Sequence, residues 1–298
     1  MKKNFALYYI LLIFSVTFWG SSYVFSKHLL ESIAPIHIIF IRTVLAALFL
    51  LIFSLILYKK ELKIEKKDIK YILILSVFEP VFYFIFETYS LQYTTASIVS
   101  IIVATIPLFS ALMSKYYFKE IFTKLNMIGV VISMIGIGIM LLPGFYKTAG
   151  GILGIVLAFL AVATAVGYGF FLKKISSKYS PVAIVAYQNM VGAVLFLPIF
   201  LIYSFRNGFP AMQTVFEPVN ISYIIILAVF CSALAFIFFI QGIQKIGLGK
   251  THVFNNLTPA VTALTSFLLL GEEFPFYKII GMVVVIVGIF LVQRNRGN

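Results

Sequence analysis

Two carboxylates stand inside one of the most apolar stretches of the sequence, the run FEPVFYFIFETYS at residues 78–90. A charged side chain at the centre of a bilayer costs roughly 2.5–3.5 kcal/mol on insertion scales, so it normally faces a bundle interior or a wet cavity. Pro80 follows Glu79 and frees a backbone carbonyl on the preceding turn. Polar residues at helical spacings of 3, 4, 4 and 3 share one face here: Ser76, Glu79, Tyr83, Glu87 and Ser90.

This stripe predicts a binding site in which Glu79 and Glu87 hold a cargo or its coupling ion. The alternative is a structural carboxyl that is protonated or hydrogen bonded to a neighbouring helix, and for Glu87 an interfacial position. Tyr83 lies between the two on the same face.

Polar residues in a later apolar run extend the candidate site. His252 and Asn256 occupy the positions that Ser100 and Ala104 hold in an earlier run. Small residues permit close helix packing, so their replacement by polar ones indicates that this face meets a cavity. For His252, a place at the cytoplasmic interface is the alternative.

Arg42 lies inside a predicted span, about a third of the way along it. It could neutralise a buried glutamate or serve structure or gating. Alignment of its run with a later one places Asn189 opposite it. Trp19 and Tyr23 could stack on a substrate or pack the core; Trp19 is the only tryptophan of the chain.

The composition predicts an all-α integral membrane protein. Of the 298 residues, 62% are hydrophobic and only 11% charged, whereas soluble domains are about half apolar and a quarter charged. The apolar runs are continuous, and a membrane barrel would alternate apolar and polar residues with a period of two. The spans are therefore expected to be helices.

Several other classes of protein are disfavoured. The net charge of +13 comes from lysines in short connections between apolar runs, a pattern of membrane insertion rather than nucleic-acid binding. The single cysteine, Cys231, excludes an internal disulfide and a cysteine-based metal cluster. Because metal-ligand, nucleophile and nucleotide-binding motifs are lacking, we expect no enzyme, cofactor or metal site.

Ten apolar runs are long enough to span a bilayer. The first follows Lys2 and Lys3 like a signal peptide, but we expect it to be retained as a span. With the N-terminus inside, 18 Lys and Arg residues lie inside and 4 outside, which places both termini in the cytoplasm. The predicted spans are 5–26, 35–58, 69–91, 95–118, 124–143, 152–173, 181–205, 220–244, 250–271 and 276–293.

The second half of the chain repeats the first at a constant offset of 152 residues. This predicts two halves, 5–143 and 150–293, each with five spans. Five is odd, so the halves are inverted repeats, between which transporters place their substrate near the midplane. The offset gives Glu79 and Glu87 no acidic counterpart. The matching pairs are Pro107 and Pro259, Glu120 and Glu272, Phe122 and Phe274, Gly129 and Gly281, and Gly136 and Gly288.

Short motifs also occur in a characteristic order along nearly the whole chain. They are Trp19-Gly20-Ser21-Ser22-Tyr23, Phe40-Ile41-Arg42 with Ala46, Leu91-Gln92-Tyr93 through Pro107 to Glu120, and Pro259 through Gly271-Glu272-Glu273 to Gly281. In these motifs the sequence resembles the EamA-domain members of the drug/metabolite transporter superfamily. The resemblance implies ten helices in two repeats, a cavity lined mainly by helices 1, 3, 4, 6, 8 and 9, and movement of small metabolites, often export.

The function expected from these features is secondary active transport by alternating access in a bacterial-type cytoplasmic membrane. Glu79 would bind either a proton or the cationic end of an amine, amino acid or drug-like substrate, which gives a proton-coupled exporter. The alternatives are an uncoupled facilitator and, less favoured, a channel or a membrane-embedded enzyme. The expected partners are the small-molecule substrate, membrane lipid and the proton. Gly136 and Gly288 suit close helix packing or a homodimer contact, and Glu120 and Glu272 a shared capping or turn role.

Overall fold

The computed structural model describes residues 5–57, 62–119, 123–145, 152–270 and 275–294. Within these ranges the chain is helical and contains no strand. Glu120, Glu272 and Glu273 lie outside the described residues. The helices are α1 (Ala6–Leu29), α2 (Pro35–Leu57), α3 (Lys66–Tyr93), α4 (residues 96–117), α5 (Lys124–Phe145), α6 (Ile152–Ile175), α7 (Pro181–Asn207), α8 (Pro218–Ile246), α9 (residues 248–270) and α10 (Phe276–Arg294), with a short helix Met212–Val215 before α8.

Six of these helices, α1, α2, α3, α6, α7 and α8, are long and apolar enough to cross a membrane. Shorter apolar helices at Lys124–Gly136 and Ile279–Leu291 lie in α5 and α10. A helix satisfies its backbone hydrogen bonds internally, which is why continuous apolar sequence folds this way in lipid. The expected all-helical membrane fold is confirmed, and the number of ten spans stays a prediction.

Four of the helices are interrupted. In α3 the segment Val77–Phe82 is π-helical, and so is Leu227–Leu234 in α8. In α4 a turn at residues 104–105 separates two helical pieces, and in α9 a 3-10 segment covers Val253–Leu257. The 152-residue offset superimposes the first pair of interruptions on each other, and likewise the second pair.

The helices pack in a pattern that is unchanged when the two halves are exchanged. Three helices of the first half contact the helix that has the same position in the second half: α2 contacts α7, α4 contacts α9, and α5 contacts α10. The remaining major contacts come in matched pairs, since α1 packs on α8 as α3 packs on α6, and α1 packs on α9 as α4 packs on α6. The main core and the candidate site lie where these helices converge.

Two glycines bring α5 and α10 into backbone contact. A Cβ atom on Gly136 would lie 2.7 Å from the carbonyl oxygen of Gly281, and one on Gly288 would lie 2.5 Å from the backbone nitrogen of Ser133. No side chain fits at either position. Of the two roles expected for these glycines, the structure therefore uses them for close packing within the chain.

Candidate functional site

A cavity opens between α1, α2, α3, α4, α6, α8 and α9. These are the helices that the family resemblance implies, with α2 added through Arg42. Asn189 and Asn256 do not line it. The predicted site residues that do are Trp19, Tyr23, Arg42, Glu79, Tyr83, Glu87 and His252.

Glu79 stands at the break in α3. Its backbone is extended, with φ −152° and ψ 120°, while the residues around it are helical. The side chain is buried, yet no hydrogen bond or ion pair joins its carboxylate to any residue that the structure describes. The bend fits because Pro80 lies against Gly192 of α7, where a Cβ would come within 2.5 Å of the proline Cγ. The break thus carries a carboxylate without a partner in the part of the chain that the structure describes.

Glu87 lies two turns further along α3 and has phenol groups as neighbours. The hydroxyl groups of Tyr23 and Tyr83 are 3.4 Å apart, and both interact with the Glu87 carboxylate. Tyr83 precedes Glu87 by four residues, so the two share one helix face. The two carboxylates therefore differ in their surroundings, since the phenol groups of Tyr23 and Tyr83 lie beside Glu87, whereas Glu79 has no hydrogen-bond partner among the described residues.

Arg42 is fully enclosed between α2, α3 and α8. Its Nε donates to the hydroxyl of Ser232 at 3.1 Å, and its guanidinium carbon lies 4.1 Å from the centre of the Phe84 ring. Its Nη1 is buried without a hydrogen-bond partner. In the part of the chain that the structure describes, Arg42 forms no ion pair with Glu79 or Glu87. The expected neutralisation is therefore not a direct salt bridge, and a donor remains free.

The break in α8 is held by side chains from other helices. The indole of Trp19 donates to the carbonyl oxygen of Cys231 at 3.0 Å, and the hydroxyl of Ser15 donates to that of Ala235 at 2.8 Å. The amide of Asn189 donates to the carbonyl of Ser232 at 3.4 Å. Asn189 and Arg42, which the repeat alignment pairs, thus both bond to Ser232, but Asn189 supports the backbone and does not line the cavity.

The 3-10 segment of α9 decides which residues face the cavity. In a 3-10 helix residues three apart lie above one another. His252, Asn255 and Thr258 accordingly all line the cavity. Asn256, which α-helical spacing predicts for that face, points to α5, where its amide donates to the hydroxyl of Ser133. The Nδ1 atom of His252 is 2.6 Å from the Ser110 hydroxyl.

Aromatic rings form the rest of the wall. Trp19 packs edge-on against Phe236 and Phe239, with ring centres 5.0 and 4.9 Å apart. Tyr168 donates to Gln188 at 2.9 Å and faces the same cavity. Sequence reasoning does not single out these phenylalanines, because 17% of the chain is aromatic. Among the described residues no group of three or more His, Cys, Asp and Glu side chains could hold a metal ion.

Below the cavity, polar contacts tie α3 and α8 to the connection between α6 and α7. Asp68 accepts hydrogen bonds from Lys178 at 3.1 Å and from the Tyr179 hydroxyl at 2.7 Å. Gln244 donates to the carbonyl oxygens of Ser176 and Tyr179 at 2.6 and 3.0 Å. Partial burial and the hydrogen bond to Asp68 raise the pKa of the Tyr179 phenol above its ordinary value. These contacts hold the ends of α3 and α8 against the connection between α6 and α7.

The sequence comparisons with known proteins all indicate a family of transporters. The model of the EamA-like transporter family matches residues 6–142 and 152–294. An uncharacterized transporter of Archaeoglobus fulgidus is 26% identical over 297 residues, covering 99% of this chain and 100% of the relative. The uncharacterized transporter YetK of Bacillus subtilis is 28% identical over 289 residues, covering 95% and 86%.

A solved crystal structure shares the fold, with a TM-score of 0.76 over 97% of both chains at 12% identity. The family model covers both halves of the sequence and the helices that surround the cavity. The chain belongs to the EamA-like transporter family.

Proposed function

We propose that this chain is a secondary active transporter that exports a small amine, amino acid or related molecule across the cytoplasmic membrane in exchange for protons. The observation that carries this proposal is Glu79, a buried carboxylate without a partner among the described residues, at a helix break that faces the cavity. An isolated charge in such a place is costly. It therefore takes up either a proton or the cationic end of a cargo, and each excludes the other.

The free donor of Arg42 favours an amino acid over a plain amine. A buried guanidinium N–H without a partner carries a desolvation cost that a carboxylate on the substrate would offset. The same cavity then offers Glu79 to the ammonium group and Arg42 to the carboxylate. Trp19, Phe236 and Phe239 supply apolar surface for a side chain.

The membrane arrangement that we propose has ten spanning helices in two inverted halves, residues 5–143 and 150–293, with both termini in the cytoplasm. Support comes from interruptions at equivalent places, from the exchange symmetry of the helix packing, and from the lysine and arginine bias between connections. Halves of this kind can rock against each other around a fixed site, which is alternating access. That the relatives bear the name transporter favours transport over an enzymatic activity.

The test uses purified protein in liposomes with an imposed pH gradient and a pH-sensitive dye inside. Amines and amino acids are added to vesicles that contain wild type, Glu79→Gln, or the matched control Glu31→Gln, which changes an exposed glutamate. We expect substrate-dependent proton movement in wild type and control, and a loss of about a hundredfold in Glu79→Gln.

Two other results separate the alternatives. Substrate movement without proton movement, unchanged in Glu79→Gln, reduces Glu79 to a structural carboxyl and leaves an uncoupled facilitator. Movement of ions without any added substrate indicates a channel.

A further inference from the structure

We infer that the cavity contains a second, uncharged subsite, formed by His252, Asn255 and Thr258 of α9, which binds a neutral hydroxyl or carboxamide group on the side chain of the transported molecule. This inference rests on the proposed function and adds a selectivity to it. The charged groups would bind the common part of an amino acid, and α9 would choose among side chains.

The side chains of His252, Asn255 and Thr258 form one polar surface of the cavity. The 3-10 geometry of Val253–Leu257 brings side chains three apart above one another, so these three project together into the cavity. His252, Asn255 and Thr258 are only 2%, 6% and 2% exposed. Buried polar groups are normally hydrogen bonded within the protein, and those that are not require an explanation.

Two atoms of this surface lack a partner. The Nε2 of His252 and the Oδ1 of Asn255 are buried and form no hydrogen bond with any residue that the structure describes. The other ring nitrogen of His252 is engaged by Ser110 at 2.6 Å, so Nε2 keeps one bond to make in either tautomer. The Asn255 oxygen can only accept. A hydroxyl or carboxamide offers both a donor and an acceptor and can therefore serve both atoms.

The subsite lies at the other end of the aromatic wall from the charged groups. Arg42 bonds to Ser232, whose neighbour Cys231 accepts from the Trp19 indole. Trp19 packs on Phe239, and Phe239 packs on His252 with ring centres 5.1 Å apart. A path of contacts through the two aromatic rings of Trp19 and Phe239 thus links the charged end to the α9 end, which suits a molecule with an ionic head, a short body and a neutral polar tip.

The first test compares molecules of equal size in one vesicle. Proteoliposomes are loaded with equimolar L-valine and L-threonine, or L-leucine and L-asparagine, and the efflux of both is followed by mass spectrometry. The ratio of initial rates then gives the ratio of kcat/KM. We expect wild type to prefer the polar member by about tenfold, because an apolar tip leaves the two buried atoms unpaired.

Three variants locate that preference. Asn255→Leu and His252→Phe keep size and ring packing but remove the hydrogen bonds, and we expect them to abolish the preference while still moving L-valine and L-leucine. Asn256→Leu changes the adjacent asparagine outside the cavity and is expected to keep it. Equal rates for both members in wild type, or a preference that survives in both subsite variants, overturn the subsite.

A second readout does not depend on transport. Asn255→Leu removes an unsatisfied buried polar group, so the thermal unfolding midpoint is expected to stay the same or rise. Asn256→Leu also removes a buried unpaired oxygen, but it loses the hydrogen bond from its amide to Ser133 and is therefore expected to unfold at a lower temperature than Asn255→Leu. If wild type releases none of the amino acids, the proposed substrate class is wrong. The comparison of the two unfolding temperatures then tests the subsite by itself. A fall in Asn255→Leu as large as in Asn256→Leu makes Asn255 structural and overturns the inference.

Discussion

The two π-helical breaks, in α3 and in α8, occupy equivalent places under the 152-residue offset but treat their polar groups in opposite ways. In α8 the carbonyl oxygens of Cys231, Ser232 and Ala235 accept hydrogen bonds from side chains of α1 and α7. In α3 the break presents the carboxylate of Glu79, which has no such partner in the described chain.

This contrast indicates two different roles for a π-helical interruption. A break whose freed groups are all paired is a structural joint that lets a helix bend inside an apolar environment. A break that leaves an ionisable group unpaired is poorly suited as a joint, because the group destabilises the empty protein. The π-helical segment at the equivalent place therefore serves the scaffold in α8, whereas in α3, where Glu79 has an extended backbone, it leaves a carboxylate available to a ligand.

The largest effect is expected at Gly192 of α7, against which the α3 break packs. Gly192→Leu places a side chain where a Cβ alone would lie 2.5 Å from the ring of Pro80, so we expect a cost of more than about 3 kcal/mol and little folded protein. The measurement is the folded yield and the thermal unfolding midpoint in detergent. Gly138→Leu is the control, since a Cβ there meets nothing within 4 Å. Equal folded yields for both variants contradict tight packing of the α3 break against α7.

The second prediction is that a change at the α8 break lowers stability, whereas a change at the α3 break lowers transport. Trp19→Phe keeps an aromatic ring against Phe236 and Phe239 but leaves the Cys231 carbonyl unpaired, so we expect a loss of about 1–3 kcal/mol in stability. Glu79→Gln removes no hydrogen bond of the described protein and removes a buried ionisable group, so it is expected to keep or raise the unfolding midpoint while losing proton-coupled transport. A Glu79→Gln protein that unfolds as early as Trp19→Phe removes the distinction.

The third and smallest effect concerns Arg42, which contacts both broken helices. Arg42→Lys keeps the charge but loses the planar fork, and we expect an increase in KM of about tenfold for L-leucine. Isoamylamine, the same molecule without the carboxylate, should be almost unaffected. Arg206→Lys, at an exposed arginine, is the control. An equal loss for both compounds assigns Arg42 to the scaffold through Ser232 and not to the substrate.

The stripe on α3 shows how far the sequence alone reaches. Glu79, Tyr83 and Glu87 do line the cavity, as helical spacing predicts. The ends of the stripe do not, because the hydroxyls of Ser76 and Ser90 bond to backbone carbonyls. A polar residue in an apolar run predicts an interior position, but only the packed structure tells which polar atoms are already paired.

The α9 face shows where sequence reasoning stops. An α-helical period predicts Asn256 for the cavity, whereas the three-residue period of the 3-10 segment selects Asn255. Such a segment depends on tertiary contacts, and no proline or glycine inside Val253–Leu257 marks it in advance. The same holds for Ser232, an ordinary serine in sequence that becomes the meeting point of Arg42 and Asn189 through folding alone.

The backbone contact between α5 and α10 has a consequence for motion. Gly136 and Gly288 make the same close approach from opposite sides, so sliding either helix by one residue would create collisions at both points together. We therefore expect α5 and α10 to move as one unit. Any change in which membrane face the cavity meets has to be taken up by bending elsewhere, and the helices already broken, α3, α4, α8 and α9, are the ones able to bend without losing a continuous hydrogen-bond ladder.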